Sequence, residues 1–279
     1  MESKPAGLAW IELLKNIRFN GEFSSPRGFR TQEILCCKSV IPINECLVNI
    51  PGRRLGHKFL CAEAAWIMSG DNRVETIAPF SSQISEFSDD GIRYFGAYGP
   101  RIVDQLRHVV SSLAADWDSR QGVISIWRAN PPKSKDIPCT ISAQWMIREN
   151  KLHCFVNMRS SDAWLGVPYD WFNFCMITVG ILAELNTKTN WELTPGNLYF
   201  NAASQHLYVR NFEAVDNIIG DKSLDGPSLP WSYSQLNACE FKSYQDVVDH
   251  LWNLAHGREL NRSWLHELRK DVKDAQTPD

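Results

Sequence analysis

Three runs in the middle of the chain constrain its fold most. Gly122–Trp127, Thr140–Ile147 and Leu152–Met158 are rich in β-branched and aromatic residues, and Glu149-Asn150-Lys151 reads as a hairpin turn between the last two. An apolar stretch, Trp171-Phe172-Asn173-Phe174-Cys175-Met176, follows Asp170 closely and opens a long helix. Strands paired through a short turn and followed by a helix with almost no polar face call for a sheet under helical cover. The expectation is one α+β domain over residues 1–279, with helices around a mixed sheet.

The remaining segments fill in that plan. Leu8–Ile17 has helical spacing, Gly21–Arg30 is rich in turn residues, and Glu33–Cys37 and Cys46–Ile50 read as strands. Residues 58–69 form a buried helix ended by Gly70-Asp71-Asn72, and 81–100 is a polar loop able to line a site. Ile102–Ala115 is helical, Pro131–Asp136 a loop, and His206–Arg210 a strand leading to a polar loop over Asp221–Pro230. Tyr244–Leu268 reads as an amphipathic helix and 270–279 as a disordered tail.

Composition narrows the function. A net charge of −3 gives no bulk attraction to nucleic acid, so none is expected as a partner. No apolar run is long enough for a membrane span, and Met1-Glu2-Ser3-Lys4 does not open a signal peptide. The eight cysteines include one adjacent pair, Cys36-Cys37, and no Cys-x-x-Cys. That is neither a zinc site nor a disulfide framework, and it points to free thiols in a cytoplasm, without a metal.

Several residues carry chemistry on their own terms. Cys139, in Pro138-Cys139-Thr140, is a nucleophile candidate for covalent catalysis through its thiolate. Such a thiolate needs a cation, and Arg159 on the following strand is available; the alternative is a buried structural cysteine. Arg159-Ser160 suits a phosphate dianion. Glu63 stands on an otherwise apolar helix, where a charge needs a reason: a general acid/base, or a paired structural carboxylate. His206 and Tyr208 at i, i+2 share one face of a strand, as ligand contacts or as core.

Asp170 is the most pointed of these. A uracil edge offers N3–H and accepts at O4, which an Asn amide complements. Cytosine accepts at N3 and donates from N4, which suits a carboxyl that accepts from N4 and shares a proton with N3. Burial beside an apolar base raises a carboxyl pKa and helps it hold that proton. The alternative is that Asp170 caps the helix that follows it.

Together the Pro-Cys-Thr loop, Arg159-Ser160 and Gly166-Val167-Pro168-Tyr169-Asp170 resemble the thymidylate synthase superfamily, best over residues 8–210. Where the synthases have Asn in Gly-x-Pro-Phe-Asn, this chain has Asp170, as the deoxycytidylate hydroxymethylases do. The resemblance implies a homodimer built on one sheet face. It gives Ser119-Arg120 the role of a phosphate grip reaching the partner's active site, with Gln121 in place of a second arginine. Arg27 resembles the N-terminal arginine loop, although Arg30 is one register away. Glu63 in Glu-Ala-Ala-Trp, Tyr98 in Tyr-Gly, and Asp162 with Gly166 resemble the family's acid/base glutamate, its tyrosine beside the nucleophile, and its folate contacts.

The tryptophan-rich stretch and apolar C-terminus that cover the site in the synthases have no counterpart in Ile84–Asp90 or Ala275–Asp279, which fits a site that admits water. The implied reaction moves the one-carbon unit of 5,10-methylenetetrahydrofolate to C5 of dCMP or CMP, giving the hydroxymethyl nucleotide and tetrahydrofolate. The alternatives are methylation of dUMP, hydroxymethylation of a uridylate, and a non-catalytic paralogue that binds nucleotide or RNA.

Overall fold

A computed structural model describes residues 2–224 and 240–258. Seven strands form one mixed sheet in the order β1-β2-β7-β5-β4-β3: β1 (Glu22–Ser24), β2 (Thr31–Pro42), β3 (Val123–Ser125), β4 (Thr140–Arg148), β5 (Lys151–Met158), β6 (Ser161–Asp162) and β7 (Thr194–Tyr208). The short β6 lies off this path and pairs with β7. The helices are α1 (Ala6–Asn20), α2 (His57–Met68), α3 (Val74–Ile77), α4 (Tyr98–Ala115), α5 (Val167–Thr189), α6 (Phe212–Ile219) and α7 (Tyr244–Ala255). This is the expected α+β architecture. Pairing is antiparallel except for β7 against β5 and β6, where it is parallel.

Alternation along the strands sets the two faces. Trp145, Cys154 and Leu198 lie across from one another on β4, β5 and β7 and are fully buried. On the other face Phe155 stacks on Tyr199 with ring centres 4.6 Å apart, and Asn157 reaches Ser142 at 3.3 Å. The turn between β4 and β5 puts Glu149 and Asn150 at positive φ (52° and 59°), the twist a two-residue hairpin needs.

Helix α5 is the hub. Every residue from Trp171 to Ala183 is buried, because the sheet lies on one side and α2, α4 and α7 on the others. The indole of Trp145 donates to Thr178 Oγ1 at 2.9 Å, pinning α5 to β4. Gly180 is where α7 comes closest: a Cβ there would sit 2.4 Å from the ring of Tyr244.

Several expectations need correction. Cys46–Ile50 is not a strand; its apolar side chains are buried in a connection after β2, and a short buried apolar run has no periodicity to tell the two apart. Strand β7 begins at Thr194, well before His206, and β2 continues to Pro42. Helix α5 starts at Val167 with Gly166 as its N-cap residue, so Asp170 stands inside the first turn and does not cap it. Its own N–H is bonded to Gly166 O at 2.9 Å. The expected Tyr244–Leu268 helix ends early, at Ala255, with Gly257 at positive φ (69°) just beyond it; residues 225–230 of the Asp221–Pro230 loop, 259–268 and the 270–279 tail lie outside the described residues.

Candidate active site

The site forms where the parallel strands β5 and β7 end. Leaving β5, the chain turns at Arg159 and Ser160, and β6 then sets Asp162 opposite His206 of β7. The Arg159 N–H donates to Cys139 O at 2.9 Å, fixing the entry of β4 beside the exit of β5. The indole of Trp10, on α1, donates to Ala163 O at 2.6 Å and holds the loop that leads into α5. Cys139, Arg159, Ser160, Asp162 and His206 are brought together by backbone pairing alone.

The Arg159 guanidinium donates to Pro138 O at 2.9 Å and Ile137 O at 3.0 Å, and Nη2 lies 3.7 Å from Cys139 Sγ. It pulls the thiol pKa down, as expected of the neighbouring cation, and Arg27 pulls the same way. Burial acts more strongly in the other direction, the carboxyls of Asp170 and Asp136 add to it, and the thiol stays above its ordinary value. Without substrate, then, Cys139 is predominantly a thiol at neutral pH.

Tyr98, at the start of α4, accepts from the Thr140 N–H at 3.3 Å next to Cys139. Its pKa is raised by burial first, and then by Asp170 and Cys139. Asp170 is pushed up to about 8, by burial and then by the charges of Glu63 and Asp162, so its carboxyl is largely neutral at pH 7. Burial pushes Glu63 up to about 7, although Asn173 Nδ2 donates to its Oε2 at 2.8 Å and acts in the opposite sense. Glu63, Tyr98, Asp136, Asp170 and Asn173 line one cavity of about 180 Å³. Gly166 packs against this group: a Cβ there would meet Asp170 Oδ2 at 3.2 Å and Asp162 O at 3.1 Å.

The imidazole of His206 lies 3.4 Å from Ser160 Oγ through Nδ1 and edge-on to the Tyr208 ring at 5.3 Å, so the i, i+2 pair does share a face. Burial lowers the His206 pKa, against the pull of Asp162 and Glu33. Asp162 Oδ1 accepts from the Trp164 and Leu165 N–H groups at 2.8 and 3.0 Å, which shapes the turn into α5. Of the two N-terminal arginines, Arg30 lies over the Phe23 ring at 4.6 Å, while the exposed Arg27 is the one whose charge reaches Cys139.

Ser119 and Arg120 are not part of this cluster. Ser119 is buried and accepts from the Gln121 N–H at 3.2 Å; Arg120 is exposed, and its carbonyl accepts from Gln144 Nε2 at 2.8 Å. Gln144 is five residues along β4 from Cys139, about 16 Å at strand spacing, beyond an arginine's reach. Among the described residues no group of three His, Cys, Asp or Glu side chains could hold a metal, and no helix is long and apolar enough to cross a membrane.

Comparison with known proteins decides the family. The thymidylate synthase family model matches residues 9–250. The chain belongs to the thymidylate synthase family. It is also similar to a protein of Bacillus phage SP01 named deoxyuridylate hydroxymethyltransferase, 29% identical over 316 aligned positions that cover 96% of this chain and 80% of the relative. The fold, the superfamily and the proximity to hydroxymethylases are those expected from the sequence.

This thymidylate synthase family member is an enzyme that transfers a one-carbon unit to a nucleotide, and the family uses methylenetetrahydrofolate as co-substrate. Sequence reading passed over Asn173, Tyr94 and Asp136. Asn173 had a signal, as the one polar side chain in the apolar run after Asp170. Asp136 had none: it sits in a polar loop, and only the fold brings its carboxylate to the Gly96 N–H at 2.6 Å.

Proposed function

We propose that the enzyme is a pyrimidine nucleotide C5-hydroxymethyltransferase that uses methylenetetrahydrofolate and water, with dCMP or CMP as nucleotide. The observation that carries this reading is Asp170: a half-buried residue at the head of α5, its carboxyl neutral near pH 7 and sharing a cavity with Glu63 and Tyr98. A neutral carboxyl presents one donor and one acceptor side by side, which matches cytosine N3 and N4. Leaving one of these unpaired costs about 1–3 kcal/mol, so base preference follows from which oxygen of Asp170 carries the proton.

Each remaining residue has a position suited to a step. Cys139 attacks C6, assisted by Arg159 and by the hydroxyl of Tyr98 next to it. Arg159, Ser160 and Arg27 hold phosphate within the chain; the side chains of His206 and Tyr208 hold the sugar. Methylenetetrahydrofolate supplies the one-carbon unit. The cavity wall of Trp66, Ile67, Ile84 and Phe87 suits a flat ring system, and Asp162 and Gly166 shape the turn beside it. Ile84 and Phe87 come from the stretch that lacks tryptophan, which favours hydration of the transferred carbon over its reduction.

Arg120 and Ser119 require a second copy. The half-exposed face carrying Phe155, Tyr199, Asn157 and Gln144 supports a sheet-to-sheet homodimer in which Arg120 completes the partner's phosphate site.

A second reading is deoxyuridylate, on which the phage relative acts by name. A neutral carboxyl can face uracil too, if its other oxygen carries the proton. Competition among dCMP, CMP, dUMP and UMP, read by product mass, separates the two. A hydroxymethyl cytidylate is expected; a hydroxymethyl uridylate would move the assignment to the second reading, and a methyl product would remove both. Asp170→Asn is expected to shift kcat/KM towards uracil by about tenfold or more; unchanged preference would remove Asp170 as the base reader.

A further inference from the structure

Cys139 closes the irregular connection between β3 and β4, residues 126–139. A segment without helix or strand cannot place a thiol by its own backbone pairing, so the position of Sγ depends on what the segment is tied to. Arg159 ties it on the β5 side, through Ile137 O and Pro138 O. On the opposite side two aspartates do so. Asp136 Oδ2 accepts from the Gly96 N–H at 2.6 Å. Asp89 accepts from the Ser134 hydroxyl at 2.5 Å and from the Lys135 N–H at 3.0 Å, and Ser134 Oγ accepts from the Asp136 N–H at 3.0 Å.

The Asp136 bond is one half of a ring. Two residues after Gly96, the Tyr98 hydroxyl accepts from the Thr140 N–H at 3.3 Å. These two bonds join the same two segments on either side of Cys139, at 136 and at 140. Gly96 follows residues that are themselves held: the Tyr94 N–H donates to Asn72 O at 2.9 Å, and Phe95 O accepts from Arg101 Nη2 at 2.6 Å. The approach leaves no room for a side chain, since a Cβ on Gly96 would sit 2.6 Å from Asp136 O and 2.7 Å from its Oδ1. Electrostatics gives no reason for an acid here. The charge of Asp136 helps to keep the Cys139 thiol pKa up, against the thiolate that the reaction needs.

We propose that Asp136 is a positioning residue: with Tyr98 it closes a ring that holds Cys139 Sγ where a bound pyrimidine meets it. This rests on the reading of Cys139 as the nucleophile and adds how an irregular loop aims it. Asp89 is the outer tie of the same loop.

The test separates the bond from the charge. Asp136→Asn loses the charge and keeps an oxygen that accepts from the Gly96 N–H; Asp136→Ala loses both. Turnover is followed with methylenetetrahydrofolate and whichever of dCMP, CMP, dUMP and UMP the wild-type enzyme converts. In Asp136→Ala, kcat is expected to fall about tenfold, the size of one lost hydrogen bond, with the nucleotide KM within about twofold. Asp136→Asn is expected to recover most of that loss. Alkylation of Cys139 by iodoacetamide, read by mass on its own peptide against the exposed Cys36, gives a second readout. Its pH midpoint is expected to fall alike in both variants, because both lack the charge, so a difference in kcat between them belongs to the bond. Wild-type kcat in Asp136→Ala, or an Asp136→Asn enzyme as slow as Asp136→Ala, overturns the proposal. If Asp136→Ala does not fold, Asp89→Ala at the exposed outer tie carries the test: a fall in kcat of about threefold is expected, and wild-type kcat overturns the proposal. Full activity in Cys139→Ala would overturn the nucleophile itself, a failure visible before any Asp136 variant is made.

Discussion

Two carboxyls with raised pKa values make the site sensitive to pH in opposite ways. For Asp170 the effect is on stability. Below about pH 4 it is protonated in the folded and unfolded chain alike; above that the unfolded chain ionises while the native carboxyl holds its proton to about 8, so native stability falls over this window. Asp170→Asn lacks that loss. It is expected to melt above the wild-type protein at pH 8, with a gap that narrows towards pH 5; a gap independent of pH would contradict the burial argument. For Glu63 the effect is on rate. In the proposed reaction it accepts a proton and must be ionised, so kcat/KM is expected to rise with pH through a midpoint near 7, and Glu63→Gln to lose that limb along with most activity. Most residues of the site could be picked out in the sequence because each is chemically out of place there: a Glu on an apolar helix, an Asp before an apolar run, a His and a Tyr two apart. Tyr94 and Asp136 could not, because a tyrosine beside a phenylalanine and an aspartate in a polar loop look ordinary until folding brings them to one cavity.

At the scale of elements, α5 does most of the organising, and its packing has little tolerance. Gly180→Ala would press a methyl group into the Tyr244 ring and the Met68 side chain, forcing α7 and α2 outward. We expect a loss of about 1–3 kcal/mol, read as a lower Tm in thermal melts. No loss would mean that α7 moves aside freely. The hairpin, α1, α2 and α5 could be read from periodicity and turn chemistry because those signals are local. The length of β7 could not: Thr194–Ala203 pairs with β2 and β5, and its mixture of Asn, Pro, Gly and Ala reads as a turn until those neighbours are known. The loss of Cys46–Ile50 as a strand has the same cause in reverse. Its residues are apolar enough for a strand, but the fold buries them in the connection after β2 and not in the sheet.

At the scale of the whole molecule, the proposed role of Arg120 makes one chain insufficient. In the proposed dimer, Cys139→Ala and Arg120→Ala each damage a different half of every site. Mixed and allowed to exchange subunits, they form hybrids in which one of the two sites is intact, so about a quarter of wild-type activity is expected to return if half the dimers are hybrid. A mixture no more active than its parts would place Arg120 outside catalysis. The order of the strands has a further consequence, in time. Strands β1 and β2 have no neighbour in the sheet except β7, which joins them to the rest. On a ribosome the β1–β2 pair waits for its other neighbour until residue 208 has emerged, roughly 10–30 s after β2 at ordinary elongation rates. For that interval the exposed Leu35 and the free edge of β2 are surface that a chaperone, or a second nascent chain, can bind before β7 does.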